Sequence, residues 1–261
     1  MPAEPDSHDA AVREQFAIQA GTFTDEGFAA RGLDWIVAQL APAAGEQVLD
    51  VCAGAGHLGR ALAPHVAHVS AIDLTPEMLA QGHRLAVAAG LRNIVFLAGN
   101  ATALPWIGGQ FDLVVCRIAL HQVGDPAAVV REMARVTRPG GRIGITDIIA
   151  DADPEVAAEA NRLERLRDPS HGATRTVPEI HGMLTAAGAT VTATVTRDNP
   201  LDFEDWMERT QTPAATRAAL REAVGRELDG GARTGLRPHR GPDGTVQLTH
   251  TWATVTAAHS G

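Results

Sequence analysis

The stretch Gln47–Leu62, QVLDVCAGAGHLGRAL, constrains this chain more than any other. Val48, Leu49 and Val51 form a short apolar run that contains one acid, Asp50. Small residues follow at once (Cys52, Ala53, Gly54, Ala55, Gly56 and Gly59), and a helical pattern then begins. A strand, a glycine turn and a helix in this order bring backbone against a nucleotide-like ligand in open α/β sheets. Side chains at Gly54 and Gly56 would fill the space the ligand needs. The amides at the helix start favour a negative group such as a carboxylate. His57, inside the turn, is expected to point outward. A tight turn with no ligand is the plain alternative.

Two cofactor classes compete for this turn. Gly54-x-Gly56-x-x-Gly59 matches the dinucleotide fingerprint, and Asp73 follows at about the ribose-binding distance. Asp50 argues otherwise, because a dinucleotide strand is normally apolar there; an acid suits a ligand with a positive amino group. The later strands also end in polar signals. HVSAIDLTPEMLAQG reads as a second strand ending at Asp73, then a helix with Pro76 in its first turn. NIVFLAGNATALPW is a third strand ending near Asn100, whose amide could read an adenine edge. FDLVVCRIALHQV is a fourth, closed by Arg117, with a helix started by Asp125-Pro126. RPGGRIGITDII turns into a fifth, ending near Ile149. Ligands of open α/β sheets sit beyond the carboxyl ends of the strands, where Asp50, Asp73, Asn100 and Arg117 all fall.

With these stretches the chain resembles the class I S-adenosylmethionine-dependent methyltransferases, in particular their UbiE-like small-molecule branch. VLDVCAGAGHLG, AIDLTPEML, GNATALPW, FDLVVCRIALHQVGDPAAVVREMARVTRPGG and LERLRDPSH carry the likeness, over roughly Phe16 to Trp206. It implies an α/β fold, a Rossmann-like, mostly parallel seven-stranded sheet in the order 3-2-1-4-5-7-6 with the last strand antiparallel. It implies one domain over 1–261, with a helical lid over 11–40, a cofactor-binding core over 41–150, and substrate-shaping helices with strands 6 and 7 over 151–261. Asp50, Ala53, Gly54 and Gly56 would hold the methionyl part, Asp73 and Leu74 the ribose with Met78 packed nearby, and Asn100 and Ala101 the adenine. Phe23 and Gln19 would belong to the lid, Phe23 over the cofactor and Gln19 facing the acceptor. Cys52 stands where the family usually has the first glycine. S-adenosylhomocysteine would be the second product.

Composition narrows the partners. A net charge of −9 over 261 residues offers no basic stripe for nucleic acid. All 22 basic residues are arginine. MPAEPDSHDAAVREQF has neither a basic n-region nor an apolar h-region, so no signal peptide is expected. No apolar run reaches spanning length, and a cytoplasmic setting follows. Cys52 and Cys116 should lie near neighbouring strand ends, but two cysteines make no metal set. A small-molecule acceptor is the expected partner, and a homodimer is left open.

Residues 1–10 are expected to fray, and 11–40 to form two short helices joined near 21–32. A charged helix should start at Asp153-Pro154, and another should end near Gly188. ATVTATVTRDNP alternates as a sixth strand, and TVQLTHTWATVTA closes the sheet after two inserted helices.

Methyl transfer from a sulfonium needs mainly positioning and exclusion of water. A base is required where the acceptor must lose its proton early. His121, a few residues beyond the fourth strand, is the candidate base, with orientation of substrate or a helix cap as its other reading. Arg117 could bond the cofactor carboxylate, anchor an acidic acceptor or serve a structural ion pair. The resemblance places the LERLRDPSH helix end, with Arg165, Asp168 and His171, at the acceptor pocket. Trp206 is either core or a stacking plate for a flat acceptor. The acceptor is taken as quinone-like or a secondary metabolite, methylated on oxygen or carbon. Two other readings are a fold repurposed for a non-methylating reaction or cofactor sensing, and a nicotinamide-dependent oxidoreductase.

Overall fold

The computed structural model describes residues 7–25 and 27–260. The glycine turn lies where the sequence puts it, between strand β1 (Gln47–Val51) and helix α3 (His57–Leu62). Strands β2 (His68–Asp73), β3 (Ile94–Ala98), β4 (Phe111–Arg117) and β5 (Thr137–Ile148) pair in parallel around β1. Beyond β5 the sheet turns antiparallel. Strand β8 (Val246–His259) runs against both β5 and β6 (Ala189–Asp202). The order is β3-β2-β1-β4-β5-β8-β6, with a two-residue strand β7 (His239–Arg240) on the end of β8. That is the expected order with one short strand added, so the expected seventh strand is β8.

Near-continuous apolar runs give the central strands β1, β2 and β4 two buried faces, as a sheet covered on both sides requires. Leu49, Val51, Val114 and Cys116 face helices α5 (Pro126–Val136) and α7 (Val177–Ala186). Val48, Val69, Leu113 and Val115 face α3 and helix α2 (Leu33–Leu40), with Trp252 at their margin. Helix α4 (Pro76–Ala88) packs on β2 and β3. Proline in the first turn and a side-chain cap start most of the later helices. Asp125 caps α5, Asp153 caps α6 (Pro154–Arg167), and Thr176 with Glu179 forms a capping box on α7.

The inserted helices form a layer of their own. Asp202 caps α8 (Phe203–Arg209), which packs with α6 and α9 (Ala214–Leu228) around Trp206, Met207, Leu163 and Leu220. At the other end, helix α1 spans Ser7–Gln19. The fraying expected for residues 1–10 is therefore corrected from Ser7 onward; the first six lie outside the described residues. His8 Nε2 bonds the Gln122 carbonyl at 2.6 Å, which anchors that first turn.

Candidate active site

The carboxyl ends of β1, β2, β3 and β4 open into one deep cavity, roofed by α1 and by the 3-10 turns that follow it. The glycine turn makes its floor. Gly54 has φ +56°, and an added Cβ would meet the Met78 methyl at 3.0 Å. Gly56 is corrected. It caps α3 at φ +64°, but it does not line the cavity, and a Cβ there would stand 2.6 Å from the Phe96 ring. Its smallness serves the packing of the turn on β3 rather than a ligand. Cys52 holds a left-handed φ of +55° without being glycine, and Ile118, just past β4, does the same at +50°. Such strain gathers at sites that the surrounding structure over-determines.

Asp50 is buried, and its Oδ2 accepts the Gly59 amide at 2.8 Å. Burial pushes its carboxyl up to about 7. Asp73 accepts the Gly54 amide at 2.7 Å and the Thr75 amide at 2.9 Å, one on each oxygen. The Thr75 hydroxyl and the Leu74 amide also donate to this carboxylate, so an incoming pair of hydroxyls would share or displace part of that donor set. Burial also raises the Asp73 carboxyl above its usual range. Ala53, Leu74, Met78 and Ala101 complete this wall.

Asn100 lines the cavity too, but its amide is largely committed. Its Nδ2 donates to Asp9 of α1 at 3.0 Å, and its Oδ1 accepts from Thr102 N and Oγ1 at 2.9 and 2.8 Å. It ties the roof to the end of β3, which leaves one amide hydrogen for an adenine edge. His57 is a second correction. It is buried, lies on the cavity wall, bonds the Thr24 carbonyl at 3.1 Å and is pulled by burial down to about 4. Phe23 packs on Phe28 with centroids 5.1 Å apart, and Gln19, the last residue of α1, is buried at the cavity wall. These contacts draw the chain after α1 over the glycine turn.

His121 sits on a 3-10 turn, Leu120–Gln122, between β4 and α5. Its Nδ1 lies 2.6 Å from Asp147 Oδ1, and its backbone amide donates to Asp147 Oδ2 at 3.2 Å. Asp147 is nearly sealed in β5 and also accepts the Ile148 amide at 2.7 Å. With Asp147 as the acceptor, Nδ1 carries a proton and donates, so Nε2 is the nitrogen at which the ring gains or loses its titrating proton. Burial alone would lower this imidazole, but the Asp147 carboxylate outweighs it and raises His121 above its ordinary value. His171 lies 5.6 Å away, ring to ring. It donates Nε2–H to Asn161 Oδ1 at 2.9 Å, and burial pulls it down to about 4. Two neighbouring imidazoles thus have their protonation pushed in opposite directions.

The β4 end carries Arg117, which donates to the Arg31 carbonyl at 3.1 Å and lies 5.4 Å from the Trp252 ring centroid. It is pulled down to about 10, chiefly by burial. Asp168 lines the cavity, held by Ser170 and Gln122 at 2.6 and 3.3 Å. Two expected acceptor residues do not reach it. Arg165 is exposed and donates to the Gly172 carbonyl at 2.9 Å. It stands one helical step away from the face that carries Glu164 and Arg167. Trp206 is fully buried in the inserted layer, stacked on Phe203 and under Arg167 at 4.8 Å.

Sequence reasoning missed Asp147, Glu164, Arg209 and Trp252. For Asp147 a signal existed: one acid stands in the apolar run Ile143–Ile149 of a central strand. The others depend on how distant elements dock, which no local pattern reports. Among the described residues no cluster of side chains fits a metal ion. None of their helices is long and apolar enough to cross a membrane.

A methyltransferase-domain family model matches residues 48–141, the span that holds the glycine turn and His121. The uncharacterized methyltransferase YcgJ of Bacillus subtilis is 34% identical over 201 residues, 76% of this chain and 79% of that protein. Its crystal structure superposes with a TM-score of 0.81, at 28% identity, over 89% of this chain and 99% of that one. A demethylmenaquinone methyltransferase of Clavibacter sepedonicus is 39% identical over 117 residues, 45% of this chain and 47% of its own length. The cavity agrees with the family cofactor. Gly54, Asp73 and an Arg117 whose Nε has no acceptor line it together, a set that fits a ligand carrying hydroxyls and a carboxylate. The chain belongs to the class I S-adenosylmethionine-dependent methyltransferases of the UbiE-like type.

Proposed function

We propose that this enzyme methylates an ionisable oxygen or carbon of a small acceptor, with His121 as the base and Asp147 as its positioning residue. The observation that carries this reading is the buried His121–Asp147 pair on the wall of the cavity that the glycine turn floors. S-adenosylmethionine, when bound, supplies a methyl group already activated on a sulfonium. Asp73 would accept the ribose hydroxyls, Asp50 would pair with the methionyl amino group, and Arg117 would pair with the carboxylate. His121 Nε2 takes the acceptor proton, and Asp147 fixes the tautomer and stabilises the imidazolium that forms. The roof excludes water, which strengthens these interactions. In this reading residues 11–40 are the lid, 41–150 hold the cofactor and 151–261 shape the acceptor. A quinone-like or secondary-metabolite acceptor is supported by the relatives named demethylmenaquinone methyltransferases and by the largely apolar cavity wall.

Calorimetric titration with S-adenosylmethionine and S-adenosylhomocysteine, joined to turnover on candidate acceptors, tests this. Asp73→Ala is expected to lose most cofactor affinity. His121→Gln is expected to lower kcat about a hundredfold, within the usual range for a general base, with cofactor affinity little changed. Full turnover in His121→Gln would remove the base.

A further inference from the structure

Charges on the cavity wall are unevenly matched. Its carboxylates all have partners: Glu164 meets Arg167 at 3.3 Å and His250 at 3.4 Å, and Asp168 accepts from Ser170. Asp50 and Asp73 accept backbone amides, and Asp9 accepts from Asn100. Asp147, just behind the wall, is held by His121. Three guanidiniums are not so served. Among the described residues neither Arg31, Arg117 nor Arg209 forms an ion pair, and Nε of both Arg117 and Arg209 is buried without an acceptor.

Arg209 is the sharpest case. It projects from α8 to the cavity and lies 3.9 Å from the Phe28 ring centroid. Burial pulls it down to about 10; Arg167 and Arg31 push the same way, and Glu164 opposes them. Arg31 offers one long bond, 3.4 Å, to the Pro200 carbonyl. An aromatic face compensates a cation only in part, and a desolvated charge is costly until it is paired.

The cations divide by position. Arg117 closes β4, and its nearest opposite charges are Asp50 and Asp147, so it stands at the methionyl end of the turn. The one carboxylate of the cofactor answers it. Arg209 stands on the inserted layer with the cations Arg167 and Arg31 and the acids Glu164 and Asp205 as its charged neighbours; neither acid forms an ion pair with it, which leaves its guanidinium open to a second anion. We infer that the acceptor itself is an anion, its carboxylate or phosphate held by Arg209 with Arg31 beside it. This rests on the methyltransferase reading above. The planar guanidinium fork suits either group bidentately.

The test is calorimetric titration of the full-length protein, saturated with S-adenosylhomocysteine, with benzoate, phenyl phosphate and neutral benzamide. Benzoate or phenyl phosphate should bind at least tenfold more tightly than benzamide, and whichever is the tighter identifies the group. Arg209→Gln should weaken the anion at least tenfold and leave benzamide unchanged. Arg31→Gln, on an exposed side chain that cannot upset folding, should weaken it about threefold. Arg221→Gln, which removes an exposed charge paired with Glu204, should change it less than twofold. Equal binding of anion and amide, no binding of either anion, or loss as large in Arg221→Gln as in Arg209→Gln would overturn the inference. Failure of S-adenosylhomocysteine to bind at all would instead remove the methyltransferase reading, and this inference with it.

Discussion

At the scale of single residues, two buried acids do opposite things with their burial. Asp147 accepts from the His121 ring, the His121 amide and the Ile148 amide, and so fixes the orientation of the imidazole. The base form of His121 accumulates as pH rises through its raised value, so kcat should rise along an acid limb lying above the ordinary imidazole range. Asp147→Asn should move that limb to lower pH and cut kcat about a hundredfold, read in a pH–rate profile. Unchanged position of the limb would mean that another group titrates. Asp50 has one amide donor and titrates near 7 in the fold against 3.8 when exposed. An acid raised by folding destabilises as pH climbs between those two values. Asp50→Asn should therefore raise Tm at pH 8 by about 5 °C, as expected of a few kcal/mol in a chain of this size, and the gain should vanish near pH 4. The same variant should bind S-adenosylmethionine about tenfold more weakly, the trade of stability for function seen where a site keeps a buried acid with a single donor.

At the scale of elements, what the sequence discloses divides along a physical line. Strands β1 to β5 and the caps Asp125 and Asp153 are set by local alternation and local hydrogen bonds, and they were legible. So was the placing of Asp73 and His121, because strand ends in such sheets share one rim. Gly56 was misread because a glycine spared for a ligand and one spared for a neighbouring ring look alike in sequence; Phe96 decides it. Trp206 was left open between core and stacking plate, and Arg165 was placed at the acceptor, because α6 and α8 take their facing from each other; the structure makes Trp206 core. Trp206 with Phe203, Met207 and Leu220 is the core of that layer. Trp206→Ala should cost about 3–5 kcal/mol, as large aromatic truncations do, measured by denaturant unfolding. A loss below 1 kcal/mol would free Trp206 from a core role.

At the scale of the whole molecule, α1 is fastened to both halves of the structure. Asp9 meets Asn100 at the end of β3, His8 meets the Gln122 carbonyl in the 3-10 turn that carries His121, and Gln15 Nε2 donates to the Thr210 carbonyl of the inserted layer at 3.3 Å. Phe16 and Phe23 press on Ala55 and Met78 of the floor. Hydrogen exchange should show residues 7–32 slowed at least fivefold by S-adenosylhomocysteine, with β1 and β4 unchanged; uniform slowing would mean that the roof does not move as a unit.

Those three fastenings couple traffic through the site. In the proposed reading, one roof over both ligands would keep spent cofactor and methylated product in place while α1 is seated. Turnover should then keep time with the lifting of a helix, and added viscogen should lower kcat; a kcat indifferent to viscosity would mean that release is not limiting.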